Sequence, residues 1–170
     1  MRRLPRLLQD GLPHSKSAAR QTDRRNVKEM ATEVWKRSTR YARINYLVPG
    51  LPRKNYFTAI AKLSRKHTSI ITQLVTGHIP LAKHLHRIKK ADSPLCPCCH
   101  EHEETVAHFI LHCPTHQTAR TTLFEGTPHA ERNLPQLLST NEARSRLLNF
   151  IAHTTRLRSV FGDVPLVNNS

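Results

Sequence analysis

The segment from Ala91 to Pro114 constrains the fold of this chain more than any other, because all four of its cysteines lie there. Cys96 and Cys99 form a Cys-x2-Cys pair, and His108 with Cys113 forms a His-x4-Cys pair after eight intervening residues. Zinc prefers sulfur and nitrogen ligands of this kind, four of them in tetrahedral geometry. The spacing therefore predicts a Cys-Cys-His-Cys zinc site that is closed by its protein ligands and structural in role.

Other residues of the segment could replace one of these ligands. Cys98 stands beside Cys99, although a Cys-x-Cys pair fits a tetrahedral ion less comfortably. His112 follows His108 by one helical turn, so the two histidines would share a helix face. A cluster of thiols without metal is a further explanation, and a nucleophilic cysteine would need an activated thiolate beside a base. We expect three other histidines, in the segment or just after it, to be surface residues rather than ligands: His100, His102 and His116.

The composition limits the classes of protein that this chain can belong to. With 38% hydrophobic and 5% aromatic residues, its 170 residues can bury a modest core. No apolar run approaches the roughly 20 residues that a membrane span requires, and the N-terminus lacks the apolar core of a secretory signal. We therefore expect an intracellular protein, nuclear or cytoplasmic, with no membrane association, in which clustered cysteines bind metal rather than form disulfides.

The net charge of +15 is concentrated in the first part of the chain. Residues 1–66 hold 17 Lys and Arg against 4 Asp and Glu, whereas residues 67–170 hold 10 against 8. This distribution is typical of a surface that binds a polyanion, most often nucleic acid, although a basic arm could also dock an acidic partner protein. The candidate nucleic-acid-binding residues lie on the basic face of a predicted N-terminal helix: Arg20, Arg24, Arg25, Lys28, Lys36, Arg37, Arg40 and Arg43.

Hydrophobic periodicity predicts a mainly α-helical fold, a small helical domain around the zinc knuckle with a long basic N-terminal helix. That helix runs from Ser15 to about Leu47, and Ser15 or Ser17 should cap its start. Val27, Met30 and Val34 are among its recurring apolar positions. Three segments follow from the Pro and Gly breaks. They are a basic helical arm (1–50), a helical zinc-knuckle domain (51–125), and a C-terminal helix with a tail (126–170).

The ends of two further helices can be predicted from their capping residues. A helix containing Ile70 and Leu74 should be capped by Thr68 or Ser69 and should end at Gly77. A last helix should open at Asn141-Glu142, carry an apolar stripe that includes Leu147, Ile151 and Val160, and end at Gly162. Residues 163–170 should form a loose tail.

Four runs of residues resemble one protein family. They are Thr72–His78, His84–Ile88, Cys96-Pro97-x-Cys99 and Glu104-Thr105-Val106-x-His108-Phe109-x-Leu111-x-Cys113-Pro114. Together they are similar to the zinc-binding C-terminal region of reverse transcriptases from non-LTR, LINE-type retrotransposons, particularly those of fungi. The stretch Leu12–Ala18 is similar to the segment that follows RNase H in those polyproteins, and the resemblance covers about residues 12–125. One departure is His100, where many relatives carry Gly after the second cysteine.

The resemblance implies a Zn²⁺-binding tail that binds template RNA or target DNA beside the rest of the reverse transcriptase polyprotein. It also implies that catalysis lies elsewhere. A polymerase needs paired carboxylates for two metal ions, and no two aspartates of this chain are adjacent: Asp10, Asp23, Asp92 and Asp163. We therefore expect a non-catalytic, nucleic-acid-binding fragment. The alternative is a protein-interaction module whose zinc site is purely structural.

Overall fold

The computed structural model describes residues 15–50 and 54–168, and within them the fold is mainly α-helical, as predicted. The α-helices are α1 (Lys16–Lys36), α2 (Tyr41–Leu47), α3 (Lys54–Ala61), α4 (Arg65–Thr76), α5 (Ala82–Arg87), α6 (Gln117–Leu123), α7 (Leu134–Ser139), α8 (Asn141–Thr154) and α9 (Arg158–Phe161). A π-turn (His108–His112) and short 3-10 turns (Pro114–His116, His129–Glu131) join them. The β structure in these residues is one isolated antiparallel bridge between Leu95 and Glu103.

Some sequence predictions fall outside the described residues. They concern Leu12-Pro13 in the resemblance and Leu51-Pro52 at the start of the second segment. By its contacts the chain divides into two compact units, residues 1–41 and 42–170. The three predicted segments stay predictions.

The first unit is dominated by α1, which begins where the sequence places it. The hydroxyl of Ser15 accepts a hydrogen bond from the backbone N of Ala18 at 3.2 Å and so caps the helix. The predicted helix to Leu47 is interrupted, however, because α1 ends at Lys36 and α2 starts at Tyr41. Ser38 accounts for the break, since its hydroxyl accepts from a nearby backbone N–H, an alternative to helical hydrogen bonding.

No side chain of α1 is buried. Val27, Met30 and Val34 are 65%, 69% and 71% exposed, so the apolar positions that the periodicity picked out do not form a core. Trp35 packs edge to face on Tyr41 with ring centroids 6.0 Å apart. The helix is therefore stabilised by its cap and propensity rather than by burial.

In the second unit, α4 supplies the centre of the core. Ile70 and Leu74 are 0% and 1% exposed, and Gly77 ends the helix in the left-handed conformation, as predicted. The predicted start was wrong. Ser64, not Thr68 or Ser69, caps α4 by accepting from the backbone N of His67 at 3.2 Å.

The C-terminal helices complete this core. α8 packs on α6 and α7, and its residues Leu147 and Ile151 are buried as predicted. The predicted continuous helix to Phe161 is interrupted at Thr155, which has φ 50° and ends α8. Val160, expected on the apolar stripe, lies beyond this break in α9 (Arg158–Phe161) and is 60% exposed.

The predicted loose tail is tied down over the residues that the structure describes. Lys66 Nζ donates to the carbonyl oxygen of Asp163 at 2.8 Å, and a ring nitrogen of His67 lies 2.9 Å from the Pro165 carbonyl oxygen. The Asn149 side chain exchanges two hydrogen bonds with the Val167 backbone, at 2.7 and 3.1 Å. Residues 163–167 are therefore held against α4 and α8 by hydrogen bonds.

None of the helices within residues 15–50 and 54–168 combines the length and apolar composition that crossing a bilayer requires.

Candidate metal centre

Four side chains from two separate segments converge on one point of the second unit. The ligand atoms of Cys96, Cys99, His108 and Cys113 all lie within 4.8 Å of one another. The sulfurs of Cys96 and Cys113 are 3.8 Å apart, and the Cys99 sulfur is 3.4 Å from Nε2 of His108. A tetrahedral ion with Zn–S bonds of about 2.3 Å and Zn–N bonds of about 2.05 Å would separate two sulfurs by about 3.8 Å, and sulfur from nitrogen by about 3.6 Å. The cluster therefore fits Zn²⁺ in size and in donor set.

The first two ligands lie on a tight turn that the bridge between Leu95 and Glu103 closes. The backbone N of Cys96 donates to the carbonyl oxygen of His102 at 2.8 Å, and the backbone N of His100 donates to that of Cys96 at 2.8 Å. His100 adopts φ 60°, the left-handed region that favours Gly. The departure from the family pattern at this position thus falls at a residue whose backbone would suit Gly better.

The other two ligands are placed by a capped helical turn. The Thr105 hydroxyl accepts from the backbone N of His108 at 2.9 Å, which is the cap of a helix start. From His108 the backbone forms a π-turn, closed by a 2.7 Å hydrogen bond from the backbone N of Cys113 to the His108 carbonyl oxygen. Residues five apart in a regular α-helix differ by about 140° around the axis. The wider turn brings Cys113 back toward His108, a geometry that the sequence had not predicted.

The surroundings of the ligands favour a bound cation. Burial raises the pKa of the Cys96 thiol to about 12, although the backbone amides of Cys99 and Cys98 act in the opposite direction. The backbone amide of Glu101 lowers the pKa of Cys99, and burial lowers the pKa of His108, which keeps the imidazole neutral as a ligand must be. A buried thiolate is costly without a positive partner, and Zn²⁺ would supply that charge.

Arg120 supports the end of the π-turn. Its Nε donates to the carbonyl oxygen of Ile110 at 2.9 Å, and its Nη2 donates to that of Cys113 at 2.5 Å. The Cys113 carbonyl oxygen also accepts from the backbone N of His116 at 3.2 Å, so the guanidinium joins the end of the π-turn to the 3-10 turn that follows it. Nothing in the sequence pattern had singled out Arg120 for this role.

A buried ion pair ties the knuckle to the rest of the second unit. Glu104 is 0% exposed, and its carboxylate accepts two hydrogen bonds of 2.6 Å from Nε and Nη2 of Arg156. The same carboxylate accepts from the backbone N of Ala82, at the start of α5, also at 2.6 Å. Sequence analysis missed this pair, since the two residues lie 52 positions apart and each belongs to a class that is usually exposed.

The other cysteine and histidines that the sequence analysis considered as ligands lie outside the cluster. Cys98 and His112, the reserve ligands, are not members of the four-residue cluster. His100 and His102 are exposed, as expected. His116 is not a surface residue, because it is 7% exposed and packs edge to face on Phe109 with ring centroids 5.3 Å apart.

The predicted nucleic-acid-binding residues fall into two groups. Most lie exposed on α1 or in the loop after it: Arg20, Arg24, Arg25, Lys28, Lys36, Arg37 and Arg40. Arg43 differs, since its guanidinium donates to the carbonyl oxygens of Leu74 and Val75 at the end of α4. Whether any of them contacts nucleic acid stays a prediction.

Residues 45–119 match the protein family described as zinc-binding in reverse transcriptase. This segment contains all four residues of the cluster, so the predicted likeness to a zinc-binding region of reverse transcriptase is confirmed there. The family is a zinc-binding accessory domain rather than a catalytic one. Comparisons with curated proteins and with solved structures gave no significant match.

Proposed function

We propose that this chain is a non-catalytic, zinc-binding and nucleic-acid-binding tail of a LINE-type retrotransposon reverse transcriptase, of the fungal kind and downstream of RNase H. It would bind template RNA or target DNA, in the nucleus or the cytoplasm. The observation that carries the proposal is the tetrahedrally sized Cys-Cys-His-Cys cluster inside the segment that matches the reverse transcriptase family.

Zinc has a structural role in this proposal. Cys96, Cys99, His108 and Cys113 would hold the ion, and four protein ligands leave no position for a reactive water. When bound, the ion supplies the positive charge that lets buried thiols exist as thiolates. The ion would then fix the Cys96–Cys99 turn against the π-turn, beside the hydrogen bond of 3.1 Å that the Thr115 hydroxyl donates to the carbonyl oxygen of Cys98.

The nucleic-acid contact is assigned to α1. Lys16, Arg20, Arg24 and Lys28 follow one another at intervals of four residues, so they form a ridge along one side of the helix. We call these four residues the basic ridge. All four are exposed, and cations about 6 Å apart along a helix axis can each meet a phosphate group of a nucleic-acid strand. Association would gain from the release of the counterions condensed on those phosphates.

The zinc part of the proposal is tested by metal analysis of the purified chain. Wild type should contain about one zinc per chain, whereas Cys99→Ser and His108→Ala should lower the zinc content and the stability together, because binding and folding are coupled. Cys98→Ser is the matched control and should keep its zinc. If the purified protein holds no zinc and unfolds identically with a chelator, the zinc role is refuted.

The nucleic-acid part is tested by salt titration of binding to an RNA and a duplex DNA oligonucleotide. Replacing Arg20, Arg24 and Lys28 with Gln should reduce the slope of log K against log salt by about 2, since each phosphate contact contributes about 0.7–0.9. A control with the same charge change removes three exposed cations of the second unit: Lys62, Lys89 and Lys90. An unchanged slope in the ridge variant would place the binding surface elsewhere.

A protein-interaction module is the second candidate, and one observation favours it. Val27, Met30 and Val34 are exposed on α1 at spacings of three and four residues, so they share a face. This face could dock an acidic partner protein with an apolar seam. Binding that resists salt but is lost in a Val27→Ser, Met30→Ser variant would support this candidate over nucleic acid.

A further inference from the structure

The second unit contains a cleft of about 490 Å³ between the end of α4, helix α5 and the segment that leads into the π-turn. Arg43 and Arg87 both line it, together with His84, Lys83 and Gly77. We call it the arginine cleft. None of the four residues of the metal cluster lines it.

Arg43 is held rigidly in this cleft. Its Nε donates to the carbonyl oxygen of Val75 at 3.2 Å, and its Nη2 donates to that of Leu74 at 3.0 Å. Gly77 leaves room for the guanidinium, because a Cβ at this position would stand 3.0 Å from the Arg43 Nε. A guanidinium carries five N–H donors, so three donors of Arg43 remain unused by the hydrogen bonds of the described residues.

The acidic groups that line the cleft are already paired. Glu103 accepts from Lys83 at 2.5 Å, and Glu104 is held by Arg156 in the buried ion pair. Within residues 15–50 and 54–168, no carboxylate forms an ion pair with Arg43 or Arg87. The cleft therefore holds two unmatched guanidinium charges.

Arg43 and Arg87 both carry a positive charge in this cleft, so they repel one another. Burial lowers the pKa of Arg43, and the charge of Arg87 lowers it further. The pKa of His84 is lowered by burial and then by Arg87, whose Nη2 lies 3.0 Å from the His84 Nδ1. Positive groups that repel one another in a concave site are stabilised when an anion enters it.

We infer that the arginine cleft binds a phosphate group between Arg43 and Arg87. Guanidinium groups suit phosphate because their planar fork offers parallel N–H donors to its oxygens. The carbonyl groups at the end of α4 would repel an anion, but Arg43 covers two of them. The inference rests on the proposed function in that the phosphate belongs to a bound nucleic acid. Free phosphate or pyrophosphate is the other source of the same chemistry.

Arg87→Gln in the full zinc-loaded chain is the main test. Arg87 is exposed, and its hydrogen bond to the His84 side chain joins two neighbouring residues of one exposed helix face, so the variant should keep the thermal unfolding curve of the wild type. For a labelled RNA or DNA oligonucleotide, its affinity should fall roughly fivefold, and its salt slope should fall by about one. Arg87→Lys should recover part of this loss. Lys90→Gln is the matched control, an equal charge change three residues along that does not line the cleft.

The outcomes separate this inference from the proposed function. If the chain binds oligonucleotides and Arg87→Gln changes neither affinity nor salt slope beyond the Lys90→Gln control, the cleft inference is wrong while the proposed function stands. If no oligonucleotide binds at all, the proposed function fails, and titration with pyrophosphate decides the cleft. Wild-type binding of pyrophosphate that Arg87→Gln abolishes would then assign the cleft to free phosphates, and equal binding by both proteins, or none, would overturn it.

Discussion

Replacing Glu104 with Gln removes the charge of the carboxylate that joins the knuckle to α5 and to the chain after α8. The carboxylate accepts three hydrogen bonds of 2.6 Å, two from Arg156 and one from the backbone N of Ala82. Gln offers one oxygen where Glu offers two, and its amide group would face a donor. Arg156 would also be left without its partner charge.

The magnitude follows from the burial of the pair. Breaking a buried ion pair by removing one partner costs about 3–5 kcal/mol. The Arg156 side chain is 16% exposed, so water can reach part of the orphaned guanidinium, and we expect the lower end, about 3 kcal/mol. With a urea m-value of about 2 kcal/mol/M, the unfolding midpoint should fall by about 1.5 M.

Glu103→Gln provides the matched control. Glu103 is the adjacent residue and is also paired, with Lys83 at 2.5 Å, but the two side chains are 50% and 52% exposed. An exposed pair contributes about 0–1 kcal/mol, so its midpoint should shift by under about 0.5 M. Both variants are measured by urea unfolding in the zinc-loaded state. Equal shifts for Glu103→Gln and Glu104→Gln would refute the argument that burial, rather than charge, decides the contribution.

Two further predictions concern backbone conformation and capping. His100→Gly should raise the Tm of the zinc-loaded protein by about 2–4 °C, because Gly adopts the left-handed conformation without strain. The greater entropy of Gly in the unfolded chain offsets only part of this gain in stability. A lower Tm would show that the exposed imidazole stabilises the turn. Ser64→Ala should lower the free energy of unfolding by about 1 kcal/mol, since it removes the cap of α4, whereas Ser69→Ala, at one of the positions where the sequence predicted the cap, should cost less than half as much. Urea unfolding of the pair decides, and equal losses would contradict the assignment of the cap to Ser64.

Features that depend on residue type and short spacing were predictable. The Cys96–Cys99 pair and the His108–Cys113 pair are brought together as the ligand chemistry of zinc requires. Gly77 ends α4 because few other residues tolerate its positive φ, and the hydroxyl of Ser15 caps α1. Each of these signals is complete within a few residues of the chain.

Features that depend on distant residues were not predictable. Glu104 and Arg156 are both charged, so their types favour exposure, and only the packed fold shows that they are buried together. His116 is buried for a similar reason, because Phe109 and Phe150 enclose its ring. Neither pairing leaves a periodic trace in the sequence.

Helix ends without Gly or Pro were also missed. The apolar periodicity of the N-terminal helix continues across Ser38, but local hydrogen bonds of the Ser38 side chain and backbone end the helix there. Thr155 ends α8 with φ 50°, a conformation that is uncommon for a β-branched residue. The pattern of apolar residues reports which face is buried, and it does not report where the backbone stops being helical.

The π-turn between His108 and Cys113 changes how the spacing of the second ligand pair should be understood. A regular α-helix already places residues four apart on one face, so the five-residue interval contains one residue more than the metal needs. Deleting Leu111, which belongs to no ligand pair, would convert the π-turn to an α-turn and leave an imidazole and a thiol side by side. Homologous chains could therefore shorten this interval by one without losing the site, and a search for a fixed number of residues between His and Cys would overlook them.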